Sequence, residues 1–226
     1  MRWWLLVLLM SQACAAVASV GLVGSITASH GHHFQGLDQN GGRLSLYGSM
    51  AVHTTTGLSA GVWLGRFRLP RYDSGSTEVD YFVGYGRQLS FNRKIETSLW
   101  RYTYTNTDFE KYNWSQWLTS LHLDERFTAT FGLSQGEFLS DGVGKFGEVT
   151  ARHVHGHLST AISLGRNVLP DSPRGNFDYV EIKAAYSARN LDLFAGYSKP
   201  FRIDGPITRL FVHRGASLGV SYTFRR

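Results

Sequence analysis

Ala216-Ser217-Leu218-Gly219-Val220-Ser221-Tyr222-Thr223-Phe224 alternates apolar and small or polar residues without a break. A period of two is the period of a β-strand, whose successive side chains point to opposite faces. One face of this segment is aliphatic and aromatic; the other is Ser, Gly and Thr. The pattern returns in Leu58–Leu64, Val79–Tyr85, Phe127–Leu133 and Leu158–Leu164, with glycine recurring on the polar face. A soluble sandwich also alternates, but its outer face usually carries more Lys and Glu. Glycine and small hydroxyl residues suit a curved wall around a crowded interior, and aromatic residues near strand ends suit interfacial girdles.

Working outward, the pattern predicts strands at roughly 22–34, 43–54, 58–67, 77–89, 93–105, 111–123, 126–136, 144–155, 158–166, 177–188, 191–199 and 213–224, with ends uncertain by about 2–4 residues. Links between them alternate short and long. The short ones are Thr55-Thr56-Gly57, Ser90-Phe91-Asn92, Asp124-Glu125, Gly156-His157 and Arg189-Asn190. Pro70, Pro170, Pro173, Pro200 and Pro206 all fall in or beside the longer set, as a hydrogen-bonded ladder requires. Short turns at one end and longer loops at the other are the asymmetry of an outer-membrane barrel. The expectation is an all-β, transmembrane, up-and-down antiparallel β-barrel of about 12 strands. An even strand count places both termini in the periplasm.

The N-terminus agrees with that address. Arg2, the apolar run Trp3–Met10 and the small residues after it have the layout of a secretory signal peptide. Ala13-Cys14-Ala15 and Ala16-Val17-Ala18 each offer a cleavage site, so residues 1–18 are expected to be the signal and 19–226 the barrel domain. Cys14 is the only cysteine and leaves with the signal. The net charge of +6 could suit nucleic acid, but export argues against that partner. Anionic lipopolysaccharide or an anionic solute fits that address better, and outer-membrane lipid and small hydrophilic solutes are the partners expected there. The C-terminal strand is of the type that barrel assembly machinery receives, although Arg225 and Arg226 follow the aromatic Phe224.

Phe34-Gln35-Gly36-Leu37-Asp38-Gln39-Asn40-Gly41-Gly42-Arg43 reads as the first outer loop, followed by Leu46-Tyr47-Gly48-Ser49 and Gly57-Leu58-Ser59-Ala60-Gly61-Val62-Trp63. With Glu78-Val79-Asp80-Tyr81-Phe82-Val83-Gly84-Tyr85 and Tyr102-Thr103-Tyr104, this order resembles the TorF family of outer-membrane porins. The resemblance covers about the first half of the mature chain. It implies a porin-like barrel. Gln35 stands where that family usually has Arg, and Asp38 where it usually has Ser.

Strand parity predicts Glu78, Asp80, Arg101, Glu148, Arg152, Glu181 and Lys183 on the inner face. There they would either line a pore and set its selectivity or pair across the lumen and plug it. Arg68, Arg71, Arg174, Arg202, Arg209 and Arg214 form a basic set in the outer loops, placed for lipopolysaccharide phosphates or for a solvated rim. His153, His155 and His157 alternate, as metal ligands on one strand would, but Gly156-His157 reads as a turn and breaks the shared face. His30, His32 and His33 cluster beside the first outer loop. His157-Leu158-Ser159 has the spacing of a base and nucleophile on one strand, without a third group to orient it. No catalytic residue, metal site or cofactor is assigned. The function expected is passive diffusion of small hydrophilic solutes through a porin-like channel. The alternative is a closed structural or adhesive barrel that binds lipopolysaccharide or a partner through its basic loops.

Overall fold

The alternating segments become long strands whose edges are all paired. The computed structural model describes residues 20–67, 76–105, 113–136, 142–170, 175–204 and 215–226; the signal segment lies outside them. Twelve strands form the wall: β1 (Val20–His30), β4 (Leu44–Thr54), β5 (Leu58–Phe67), β6 (Ser76–Ser90), β7 (Arg93–Tyr104), β8 (Trp114–Leu123), β9 (Phe127–Gln135), β10 (Val143–His155), β11 (Leu158–Val168), β12 (Phe177–Ala188), β13 (Leu191–Phe201) and β14 (Gly215–Arg225). A short hairpin, β2 (His33–Phe34) with β3 (Leu37–Asp38), lies between β1 and β4.

Each wall strand pairs antiparallel with its sequence neighbour, and β1 pairs with β14 to close the barrel. Closure removes the open edges that make an isolated sheet prone to aggregate. The seam runs from Val23 opposite Arg225 to His30 opposite Leu218. Leu22 and Arg226 continue it with two backbone hydrogen bonds of 2.9 Å. Arg225 and Arg226 are therefore part of the ladder.

Burial is inverted relative to a soluble protein. Ile26, Leu46, Val83, Phe131, Leu164, Ile182 and Leu218 all face outward and exposed, Leu218 by 67 %. A belt of large aliphatic side chains around a closed barrel is the surface that hydrocarbon solvates. The buried apolar residues are few and gather at the long-connection end in two clusters: Tyr102, Tyr104 and Trp114, and Phe146, Leu169, Phe177 and Tyr179.

Two expectations about strand ends are corrected. The first strand stops at His30, not at residue 34, because Gly31 takes a left-handed φ of 77°. The chain then turns into the barrel, where a Cβ on Gly31 would lie 2.6 Å from the Ala216 carbonyl oxygen. Pro200 sits within β13, opposite Tyr179, rather than in a loop. It is the penultimate residue of its strand, where a missing amide donor costs least.

Candidate functional site

The candidate site is the lumen. Twelve strands about 4.8 Å apart and tilted about 40° enclose a backbone cylinder about 12 Å in radius. A charged side chain reaching about 5 Å inward thus lies within a Debye length, about 8 Å, of the barrel axis, so luminal charges reach the centre of the lumen with little screening.

The long-connection half is filled from within. Residues 31–43 fold into the barrel instead of away from it. The His32 ring lies against Tyr47 and Trp63, with ring centroids 4.6 and 5.7 Å apart. Phe34 meets Tyr102 at 5.8 Å. Across the lumen, Gln35 Nε2 donates to Gln116 Oε1 at 3.1 Å on β8, and the Gln35 carbonyl accepts from Asn167 Nδ2 at 3.2 Å on β11. Gly36 has φ 81° and packs on Tyr179, where a Cβ would come within 2.4 Å of the ring. Only glycine fits that approach. Asn40 closes the loop locally, its amide nitrogen donating to Asp38 Oδ1 at 3.0 Å and its Nδ2 to the Arg43 carbonyl at 2.7 Å. The segment read as an outer loop is an internal strap that touches wall strands on opposite sides.

The carboxyl groups around this strap are held by tyrosines. Tyr104 Oη donates to Glu78 Oε1 at 2.9 Å, and Tyr179 Oη donates to Glu148 Oε2 at 2.5 Å. Glu181 pairs with Lys183 at 2.9 Å. Asp38, Glu78, Asp80, Glu148 and Glu181 thus face Lys183 as the one ammonium at this level among the described residues. The field stays negative even with two of the five protonated. Burial pushes His32 down from 6.5 to about 4, assisted by His33 and Lys183. Burial also lowers His33, against the opposing pull of Asp38 and Glu181. Both imidazoles are neutral at pH 7 and add no positive charge.

The short-turn half is open. A cavity of about 880 Å³ is lined by Gln88, Lys94, His122, Arg126 and Arg152, among others. A second of about 470 Å³ shares Lys94 and extends to Phe82 and Trp100. Glu96 bridges Lys94 at 2.6 Å and His122 Nε2 at 2.7 Å, and His122 Nδ1 lies 3.2 Å from Thr128 Oγ1.

Glu78, Asp80, Glu148, Glu181 and Lys183 face inward as their parity predicts, and Arg152 lines the open cavity. Arg101 does not. It is exposed on the outer face opposite Tyr81, and its Nη1 donates to Ser115 Oγ at 3.1 Å. The inward set on β7 is Lys94, Glu96, Ser98, Trp100, Tyr102 and Tyr104, so the aromatic residues and not Arg101 fill the luminal side of this strand. Arg202 is exposed, 3.9 Å from Asp178; Arg68, Arg71, Arg174, Arg209 and Arg214 lie outside the described residues. His30 ends β1 while His32 and His33 enter the lumen. His157 packs on Tyr186 of the outer face, whereas Ser159 follows the luminal parity of β11, so the two do not form a pair. Lys94, Glu96 and His122 were missed. The alternation of β7 carried the signal, but only the tyrosine rings' inward position fixes its sense.

This closed barrel has the porin fold. A KdgM porin is similar over 90 % of this chain and 99 % of its own, at a TM-score of 0.57 and 9 % identity. KdgM has also been solved in complex with a disordered oligogalacturonate. A NanC porin is similar over 91 % of this chain and 99 % of its own, at a TM-score of 0.55 and 11 % identity. A family model described as "Bacterial protein of unknown function (Gcw_chp)" matches residues 13–133, and the chain belongs to that family. No curated protein matches the sequence.

Proposed function

We propose that this protein is a porin-like channel of the bacterial outer membrane, in line with its resemblance to the TorF family, that passes small hydrophilic solutes and disfavours anions. One observation carries the choice between pore and plug. Asp80 Oδ1, Gln116 Nε2, Ser198 Oγ and both ring nitrogens of His33 are buried around the strap without a hydrogen-bond partner among the described residues. A dry plug would leave each of them unsatisfied, at a cost of about 1–3 kcal/mol per group. Several such costs together rival the net stability of a domain, about 5–15 kcal/mol. Water around the strap removes the penalty, and water continuous with the open cavity beyond it is the path that a solute would take.

The acidic strap level supports the direction of selectivity. KdgM's oligogalacturonate is polyanionic, and five carboxyl groups against one ammonium oppose such a solute here. The exposed apolar belt supports the membrane address, with the short turns and both described chain ends on the periplasmic side. The strap's bridging hydrogen bonds favour a second reading, a closed structural or adhesive barrel that meets lipopolysaccharide through its basic loops.

Planar bilayers separate the two. In a KCl gradient the purified protein is expected to give discrete conductance steps with a reversal potential on the cation side. The combined Glu78→Gln, Asp80→Asn and Glu148→Gln substitutions should pull that potential toward zero. A silent bilayer with correctly folded protein would establish the closed barrel instead.

A further inference from the structure

The smaller cavity combines an aromatic surface with hydroxyls. Phe82 and Trp100, directly opposite each other on β6 and β7, stack at 4.5 Å between ring centroids and 24° between planes. Both rings are fixed from behind. Phe82 covers Gly61, where a Cβ would lie 2.5 Å from its Cε1. Trp100 Nε1 donates to Ser98 Oγ at 2.9 Å, so the indole is held by its edge. Below Phe82 the next two luminal positions of β6 are Gly84 and Gly86, which leave a hollow in the wall beside the stacked pair. Ser59 and Ser120 supply hydroxyls to the same hollow. Its volume of about 470 Å³ lies within the usual span of small-molecule sites, about 300–1,000 Å³.

We infer that this hollow is a binding subsite for a neutral pyranose sugar of one or two rings. An aromatic face carries partial negative charge. A pyranose presents polarised C–H groups on one face and hydroxyls around its rim, so it can pack on the part of the Trp100 ring that Phe82 and Tyr102 leave open to the hollow while its rim meets Ser59, Ser120 and the Lys94–Glu96 pair. Neutrality follows from the charges. Lys94 is taken up by Glu96, Glu96 is shared with His122, and neither sign is left in excess to reward an ionic ligand. The acidic strap level just beyond penalises an anionic sugar further. The subsite rests on the channel reading for its physiological role, but binding does not require conduction.

Saturation-transfer NMR on protein in amine-oxide micelles tests it, because a glycoside detergent would compete. Maltose is expected to bind saturably with its ring protons receiving the transfer, and acyclic sorbitol at least tenfold more weakly. Trp100→Ala should weaken maltose tenfold or more. Gly86→Leu, which fills the hollow without touching either ring, should do the same in a variant whose circular dichroism matches the parent. Equal binding of sorbitol and maltose, or full binding in both folded variants, would overturn the subsite. Conductance without maltose binding defeats the subsite alone; maltose binding beside a silent bilayer defeats the channel reading alone.

Discussion

The two halves of the barrel use one wall to opposite ends. Near the long connections the lumen is crowded: Tyr102, Tyr104, Trp114 and Tyr179 are almost fully buried, and the strap of residues 31–43 runs between them. Near the short turns the same strands carry Ser, Thr and Gly inward and leave cavities of about 880 and 470 Å³. The electrostatics differ as well. Carboxyl groups at the strap level are held by tyrosine hydroxyls, whereas Glu96 below them is neutralised by Lys94 and His122. On the channel and subsite readings proposed above, rate and selectivity belong to the crowded half and solute retention to the open half.

Removing the strap attacks that division most directly. Replacing residues 33–38 by a short Gly-Ser turn is expected to raise single-channel conductance several-fold, measured in symmetric KCl. An unchanged conductance would mean that the narrowest point lies elsewhere.

Acidification should act on the same element more gently. The His32 imidazole titrates near 6.5 when free and near 4 when seated between Tyr47 and Trp63. Its folded value is the lower one, so protonation favours the displaced strap. Seating is at full strength above pH 6.5 and weakens as pH falls toward 4. Conductance should rise over that window, and His32→Phe, which keeps the stacking and removes the titration, should flatten the rise. A parallel rise in His32→Phe would assign the effect to His33 or to the carboxyl groups instead.

The smallest effect separates two arginines. Arg152→Gln removes a cation from the wide, open half and should move the reversal potential slightly further toward cation preference. Arg101→Gln, on the outer face, should leave it unmoved. An equal shift in both would place Arg101 back in the lumen.

Strand positions were legible because the barrel separates two solvents. Leu158–Leu164 and Ala216–Phe224 must offer hydrocarbon one face and the lumen the other, and this writes a period of two into the chain. The termini of most strands fell within a few residues of expectation for the same reason. β7 was misread because both its faces carry large residues at the outer end: Arg101 and Thr103 on one, Trp100, Tyr102 and Tyr104 on the other. Amphipathic aromatics are at home in a lipid girdle and in a lumen alike, so alternation gave the period but not its sense. The strap was hidden for a different reason. Gly31, Gly36, Gly41 and Gly42 mark a turn-rich loop wherever it goes, and nothing local distinguishes a loop turned inward from one turned outward.

The sequence by itself determined an up-and-down all-β wall with an apolar outer face, because alternation is a local property that each strand carries alone. Only the tertiary structure decided that the first long loop occupies the lumen, that Tyr104 and Tyr179 hold Glu78 and Glu148, and that Phe82 and Trp100 meet beside a glycine-made hollow. Those arrangements depend on closure: residues such as Gln35 and Asn167, distant along the chain, become neighbours only when β1 finds β14.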